Sequence, residues 1–271
     1  MVVDSEKIQF TKEKETLLAT LYGRALESRS ANPILRDEMA EDAVRRIDYD
    51  FDRLKVDTLS IAMRARQFDL WTAEFLGGHP DAVVLHLGCG LDSRVFRLDP
   101  PPAVSWFDVD FPDVIELRRR LYPQRAGYQT IGSSLADLGW LAAIPNDRSA
   151  WILAEGVTMY LSTDVMSTLL CTLTNHFPSG AIAFDAFSPA ATRMARLNPS
   201  VRATGATFGG FNVDDPRELR KVAPRLEFAH AARTPDMPGY SKLPLTKRAL
   251  VRVFDSVPGL RKLGRLVLYR F

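Results

Sequence analysis

Two glycines, two aspartates and a histidine, closely spaced, are the residues here that could do chemistry. Val83-Val84-Leu85-His86-Leu87 runs into Gly88-Cys89-Gly90. The apolar run reads as a buried strand, and glycines at its carboxyl end let a ligand rest against bare backbone. A dinucleotide fingerprint would place a third glycine where this chain has Ser93. The loop alone therefore fits a nucleotide-type ligand or simply a tight strand-to-helix turn. Asp108 follows Gly88 by 20 residues, within Trp106-Phe107-Asp108-Val109-Asp110, the interval at which an acid on the next strand reaches a ribose hydroxyl pair. Asp108 and Asp110 flank Val109 and share one face. A carboxylate there serves the ribose of a nicotinamide dinucleotide or of S-adenosylmethionine equally well. His86, two residues before Gly88, is either a proton acceptor or a satisfied buried histidine, while His79, His176 and His230 carry no pattern.

Elements of two kinds must position these groups. Through about residue 80 the chain reads helical, with Leu17, Leu18, Leu21, Tyr22 and Leu26 at helical spacing and a second run over 58–76. This part is expected to be a cap contributing to the site. From 81 to 271 short apolar runs alternate with amphipathic stretches, the pattern of a parallel sheet with crossover helices. The spacing predicts seven strands, at 82–87, 104–109, 128–131, 150–154, 181–184, 226–230 and 266–271, with a helix from about Lys247 between the last two. Pro112 at a first helical position, acids in the opening turn and Arg118, Arg119 and Arg120 at the close mark a helix over 112–121. Cap and core together are expected to form effectively one domain.

Composition narrows the classes. Hydrophobic residues at 46% and charged residues at 25% are ordinary for a globular chain of 271 residues. A formal charge of +2 shows no basic footprint for nucleic acid. The opening MVVDSEKIQF lacks the pattern of a secretion signal, and no apolar stretch reaches the roughly 18 residues of a membrane span. A cytoplasmic monomer or homodimer without membrane or nucleic-acid partners is expected. Cys89 and Cys171 lie far apart without CxxC spacing, so neither a disulfide framework nor a metal site is expected.

In order, LHLGCGLDSR, WFDVDFP and AEGVTMYL resemble the leucine carboxyl methyltransferase family, particularly its branch of polyketide-type (tetracenomycin-type) O-methyltransferases, over about residues 16–188. The resemblance implies an α/β class I methyltransferase fold, Rossmann-like, with a seven-stranded mostly parallel sheet, helices on both faces and a last strand inserted antiparallel. It implies S-adenosylmethionine as cofactor and S-adenosylhomocysteine as product, with Gly88 and Gly90 beside the methionine part and Asp110 on the ribose; the spacing adds Asp108. Arg64 matches the family's arginine for the cofactor carboxylate, Glu155 an acid near the amino group and sulfonium, and Arg24, more loosely, an N-terminal basic residue. Ser134-Leu135 stands where phosphatase-methylating members carry Asp-Leu near the adenine. A serine hydroxyl can still accept from the adenine amino group, with Asp137 as a substitute.

Because a sulfonium methyl is already activated, transfer needs chiefly an aligned acceptor oxygen and no metal. A carboxylate acceptor is ionised at neutral pH, whereas a phenol benefits from a base. No catalytic base is assigned, and His86 and Tyr160 are the candidates. The acceptor is expected to be a small molecule, polyketide-like, in a pocket lined by Met159, Tyr160, Phe187, Phe208 and Phe211, with 188–215 as a lid. A protein C-terminal carboxylate is the alternative acceptor. A nicotinamide-dependent oxidoreductase or a non-catalytic cofactor binder are the alternative classes, and the absence of a GxSxG elbow speaks against a hydrolase.

Overall fold

Helical periodicity and capping chemistry shape the first third of the chain. α1 (Glu15–Ser28), α2 (Glu38–Arg46) and α3 (Thr58–Gly78) follow one another. Asp37 and Asp57 start the latter two by accepting from the backbone N–H groups of Ala40 and Ser60, which satisfies donors the helix itself cannot use. This computed structural model describes residues 6–7, 15–197, 210–257 and 259–271. β1 (Glu6–Lys7) pairs in parallel with β2 (Ile47–Asp48), a contact no local pattern announces. Leu18, Leu21 and Ala25 of α1 share one buried cluster with Leu91, Leu117 and Leu121 from the part that follows. Each leucine so buried contributes roughly 1.5–3 kcal/mol, so the cap is joined to the rest by core packing.

The central apolar runs, over 83–87 and 150–154, are buried along their whole length and satisfy their backbone against neighbouring strands, while the edge strands over 128–132 and 227–232 are partly exposed. The strands of this sheet are β3 (Val83–Leu87), β4 (Ser105–Asp110), β5 (Tyr128–Gly132), β6 (Ala150–Ala154), β7 (Gly180–Phe187), β8 (Glu227–Ala232) and β9 (Gly264–Arg270). They lie in the order β5-β4-β3-β6-β7-β9-β8. β9 is antiparallel to both β7 and β8, so within this sheet it alone is reversed. Alternate residues feed two cores, with Leu85, Leu87, Phe107 and Ile152 on one face and Val84, Trp106, Trp151 and Leu153 on the other. The seven expected strands are present, with no end displaced by more than three residues and the 150–154 strand matched at both ends.

Helices α4 (Arg94–Leu98), α5 (Pro112–Leu121) and α6 (Thr163–His176) connect the parallel strands, and α7 (Pro189–Leu197) and α8 (Leu245–Ser256) follow. Pro112 stands in the first turn of α5, which ends at Leu121, as the end signals predict. From β3 the chain moves to β4 and β5 on one side, then returns to place β6 on the other. That reversal opens a crevice beyond the carboxyl ends of β3 and β6, where open α/β sheets bind ligands. Among the described residues no helix is long and apolar enough to cross a membrane.

Candidate functional site

The loop after β3 turns because Gly88 and Gly90 take φ values of 60° and 49°, left-handed conformations costly for residues with a Cβ. At Gly88 space is lacking as well, since a Cβ would come 2.7 Å from Val157 Cγ2. Asp110, the last residue of β4, holds the loop. Its Oδ2 accepts from the Gly90 N–H at 2.7 Å and its Oδ1 from the Phe111 N–H at 2.7 Å. Burial pushes the Asp110 carboxyl above the usual range against these bonds.

Asp110 borders a mainly apolar cavity of ≈ 410 Å³ whose walls include Val114, Ser134, Leu135, Val157 and Leu161. It shares Leu17, Gly88, Gly90, Gly156 and Tyr160 with a polar cavity of ≈ 150 Å³ that reaches Arg24, Arg64, His86, Asp92, Glu155 and Met159. The two make one trough across the glycine loop, apolar at one end and charged at the other. At the apolar end the Ser134 hydroxyl accepts from the Ala136 N–H at 3.2 Å. Asp137 caps a short 3-10 helix, its Oδ1 accepting from the Gly139 N–H at 3.1 Å.

The charged end belongs to a buried ion network. Arg94 reaches Asp69 at 2.7 Å, Asp92 at 3.1 Å and Glu155 at 2.6 Å. Arg97 reaches Asp69, Asp37 and Asp92 at 2.7, 2.9 and 3.2 Å. Arg24 pairs with Asp37 at 3.2 Å and donates to the Leu91 carbonyl at 2.9 Å. Arg64 donates to Glu155 at 2.9 Å and lies 3.7 Å from Asp185. Burial alone would raise the Glu155 carboxyl, but Arg64 and Arg94 outweigh it and hold the group below the usual range. Asp185 goes the other way, because burial there outweighs Arg64. Five carboxylates (Asp37, Asp69, Asp92, Glu155 and Asp185) face four guanidiniums (Arg24, Arg64, Arg94 and Arg97). Counted as ionised, they leave one negative charge. Asp37, Asp69, Asp92, Arg94 and Arg97 escape a reading by spacing. The hint was the pair Asp92 and Arg94, immediately behind the glycine loop.

Two expectations need correction. Asp108 does not border the trough. It is 1% exposed, is ion-paired with Arg118, and accepts from the Tyr128 hydroxyl and Trp106 Nε1, both at 2.8 Å. Burial would raise its carboxyl, yet Arg118 keeps it below the usual range. Arg118, which reads as a helix-end cation, is thus a buried partner. His86 faces the same acid, with Nδ1 3.3 Å from Asp108 and Nε2 3.4 Å from Arg94, so both ring nitrogens turn into the network. Phe211 is the second correction, buried in the core beside Phe184 with ring centroids 6.3 Å apart. Phe208 lies outside the described residues. Tyr160 and Met159 follow β6 on a short turn and line the trough. Phe187 instead lines a second cavity of ≈ 380 Å³ on the far side of Arg64.

The leucine carboxyl methyltransferase family model matches residues 17–174, more than half of the chain and including both glycines, Asp110 and Glu155. The chain belongs to the leucine carboxyl methyltransferase family. Within reach of that family it is 45% identical, over 98% of this chain and 99% of the relative, to a tetracenomycin polyketide synthesis O-methyltransferase of Streptomyces glaucescens. It is 36% identical, over 83% and 84%, to an S-adenosyl-L-methionine-dependent methyltransferase of Gibberella zeae. Among solved structures, a putative methyltransferase from Thermobifida fusca superposes with a TM-score of 0.54 at 17% identity, covering 92% of this chain and 93% of that one. A Streptomyces avermitilis protein of family duf574 gives 0.58 at 12% identity, covering 96% and 99%. These two show a shared fold, that of class I methyltransferases. As a member of the leucine carboxyl methyltransferase family, the chain is an S-adenosylmethionine-dependent methyltransferase. The trough suits that cofactor, whose adenosine is uncharged and whose methionine part carries a sulfonium, an ammonium and a carboxylate. Its net single positive charge complements the single negative charge of the network.

Proposed function

We propose that this chain transfers the methyl group of S-adenosylmethionine to an oxygen of a small, polyketide-like molecule. The observation that carries the reading is the trough, apolar on one side of the glycine loop and charged on the other, with a second cavity beyond Arg64. In this reading the backbone of Gly88 and Gly90 lies against the cofactor, Asp110 accepts from the ribose hydroxyls, and Ser134 and Leu135 border the adenine. Arg24 and Arg64 face the cofactor carboxylate, and Glu155 faces its ammonium. The bound cofactor supplies an activated methyl on a sulfonium, so the chain's own work is to hold and align. Arg64, fixed by Glu155, sets the boundary between cofactor and acceptor, and Tyr160 and Met159 shield that boundary from water. A carboxylate acceptor is ionised at neutral pH and needs no proton acceptor.

The cap supplies Leu17, Arg24 and Arg64, and the segment 188–215 is assigned to the acceptor side, its residues 198–209 lying outside the described ones. Its two described ends are tied to each other and to β7, where Thr192 donates to Asn212 at 2.5 Å and the Val213 N–H to the Phe187 carbonyl at 2.8 Å. A cytoplasmic setting goes with this reading, as Cys89 and Cys171 are both free thiols.

Calorimetric titration with S-adenosylmethionine, S-adenosylhomocysteine and NAD, repeated on Asp110→Ala, tests the proposal. Both adenosyl ligands should bind, NAD should not, and the variant should lose at least about tenfold in affinity. Binding of NAD alone would overturn it.

A further inference from the structure

The helix α8 buries none of its residues. Four of the seven large hydrophobic side chains exposed among the described residues, Leu245, Leu250, Val253 and Val257, lie on it or at its C-cap. Arg248, Val251, Phe254 and Asp255 are half-buried and form its inward side, whereas Thr246, Ala249, Leu250, Val253, Ser256 and Val257 recur at helical spacing and are all exposed. The outward face thus carries no charge, the reverse of what a helix facing only water shows. Cations stand at its margins. Arg252 on one flank is exposed, as is Arg261, whose N–H donates to the Val257 carbonyl at 3.0 Å and so lies one turn beyond the apolar row. Among the described residues neither has a carboxylate within ion-pair distance. Lys247 on the other flank pairs with Asp57 at 3.1 Å and Lys262 with Asp214 at 3.2 Å, but both pairs are solvent-exposed, so they hold the cations only weakly. Over 245–265 six Lys and Arg stand against one acid, Asp255, which is itself paired with Arg233 at 2.7 Å.

We infer that α8 docks the protein on an anionic lipid surface, its aliphatic face entering the headgroup boundary while Lys247, Arg252, Arg261 and Lys262 meet the phosphates. A helix with an apolar row between cations is held in such an interface by the apolar area it buries and by attraction to anionic headgroups. The same charges speak against a second copy as the occupant, since two of these faces brought together set cation against cation with no acid on the face to answer. A protein partner is best held by aromatic anchors seated in pockets, and the outward row offers only small and aliphatic side chains on a convex helix. The expected absence of a membrane partner followed from the lack of a spanning segment. No helix among the described residues is long and apolar enough to cross a bilayer, and a helix that lies along the surface has no need to. Asp57, the partner of Lys247, also lines the second cavity, so docking through α8 sets that cavity beside the lipid. The inference stands independently of methyl transfer.

The test is flotation of the full chain with phosphatidylcholine vesicles, with and without about 30% phosphatidylglycerol. The anionic vesicles should bind it at least about tenfold more tightly than the neutral ones, and that preference should shrink as salt rises from about 0.1 M to about 0.5 M. Leu250→Ser combined with Val253→Ser should weaken binding to the anionic vesicles by about tenfold or more. Arg252→Gln combined with Arg261→Gln should weaken it by about ten- to thirtyfold and leave the neutral vesicles unchanged. All four positions are exposed, so both variants should keep the melting temperature and the S-adenosylhomocysteine affinity of the parent. Equal binding to neutral and anionic vesicles, no binding to either, or an unchanged vesicle affinity in either variant would each overturn the inference. A parent dimer that dissociates in the Leu250→Ser, Val253→Ser variant, measured by analytical ultracentrifugation, would also overturn it and give the face to a second copy.

Discussion

Asparagine at position 108 and asparagine at position 110 should fail in opposite ways, although the two aspartates sit one residue apart on the same strand face. Asp108 is fully buried, ion-paired with Arg118 and bonded to Tyr128 and Trp106. Asp108→Asn leaves a buried guanidinium without its counter-charge, a loss of roughly 3–5 kcal/mol when one partner of such a pair is removed. In a chain of this length each kcal/mol moves the melting temperature by roughly 2 °C, so a drop of about 6–10 °C is expected, with little change in cofactor affinity. Asp110 borders the trough and holds Gly90 in place. Asp110→Asn removes the charge from the ribose bonds proposed above, worth roughly 1.5–3 kcal/mol, which is about 10- to 100-fold in affinity, with a smaller fall in melting temperature than Asp108→Asn, since no buried guanidinium is left unpaired. Thermal unfolding by circular dichroism and calorimetric titration with S-adenosylhomocysteine measure the two quantities separately. If Asp108→Asn melts within about 2 °C of the parent and loses as much cofactor affinity as Asp110→Asn, the assignment of Asp108 to structure is wrong and the spacing argument for it was right.

Cofactor binding should weaken in acid because burial raises the Asp110 carboxyl. Binding uses the ionised form, so affinity for S-adenosylhomocysteine should be level at neutral pH and fall as pH drops through that raised pKa, by at most about one decade per unit; a profile unchanged in Asp110→Asn would refute this. Gly88→Ala places a methyl 2.7 Å from Val157 at a φ of 60° and should cost more than about tenfold in cofactor affinity. Gly210→Ala, at a φ of 97° but with open space around it, should lose about 1 kcal/mol of stability and no affinity. Arg94→Met strips three acids of a shared partner and should lower the melting temperature by about 6–10 °C, with Arg94→Lys a poor substitute because an ammonium cannot span that fork. Replacing residues 188–215 by the matching segment of a relative should change which acceptors are methylated while calorimetry finds the cofactor affinity unaltered; loss of both would mark the segment as scaffold.

Local chemistry made most of the architecture legible. Short apolar runs bounded by turn residues read as buried strands, and Pro112 with acids in the opening turn and arginines at the close marks α5 to the residue. The glycine loop was visible for the same reason, since its backbone shape needs residues without a Cβ. Depth and partnership were not visible. Period-two alternation puts Asp108 and Asp110 on one face, but whether each meets an arginine or a ligand depends on how α5 lies over the strand end. That helix delivers Arg118 onto Asp108 from ten residues away. The ion network joins Asp37 and Asp69 of the cap to Arg94 and Arg97 behind the loop, groups 25 to 60 residues apart in the chain, so no window of sequence contains it. Phe211, expected at the acceptor pocket, went to the core because its backbone is tied to Leu161. The sequence by itself determined which segments are strands and helices and where the backbone can bend, since those follow from each residue's own sterics and polarity. Only the tertiary structure decided which acid borders the trough and which is paired inside the protein, because charge pairing is settled by contacts between distant segments.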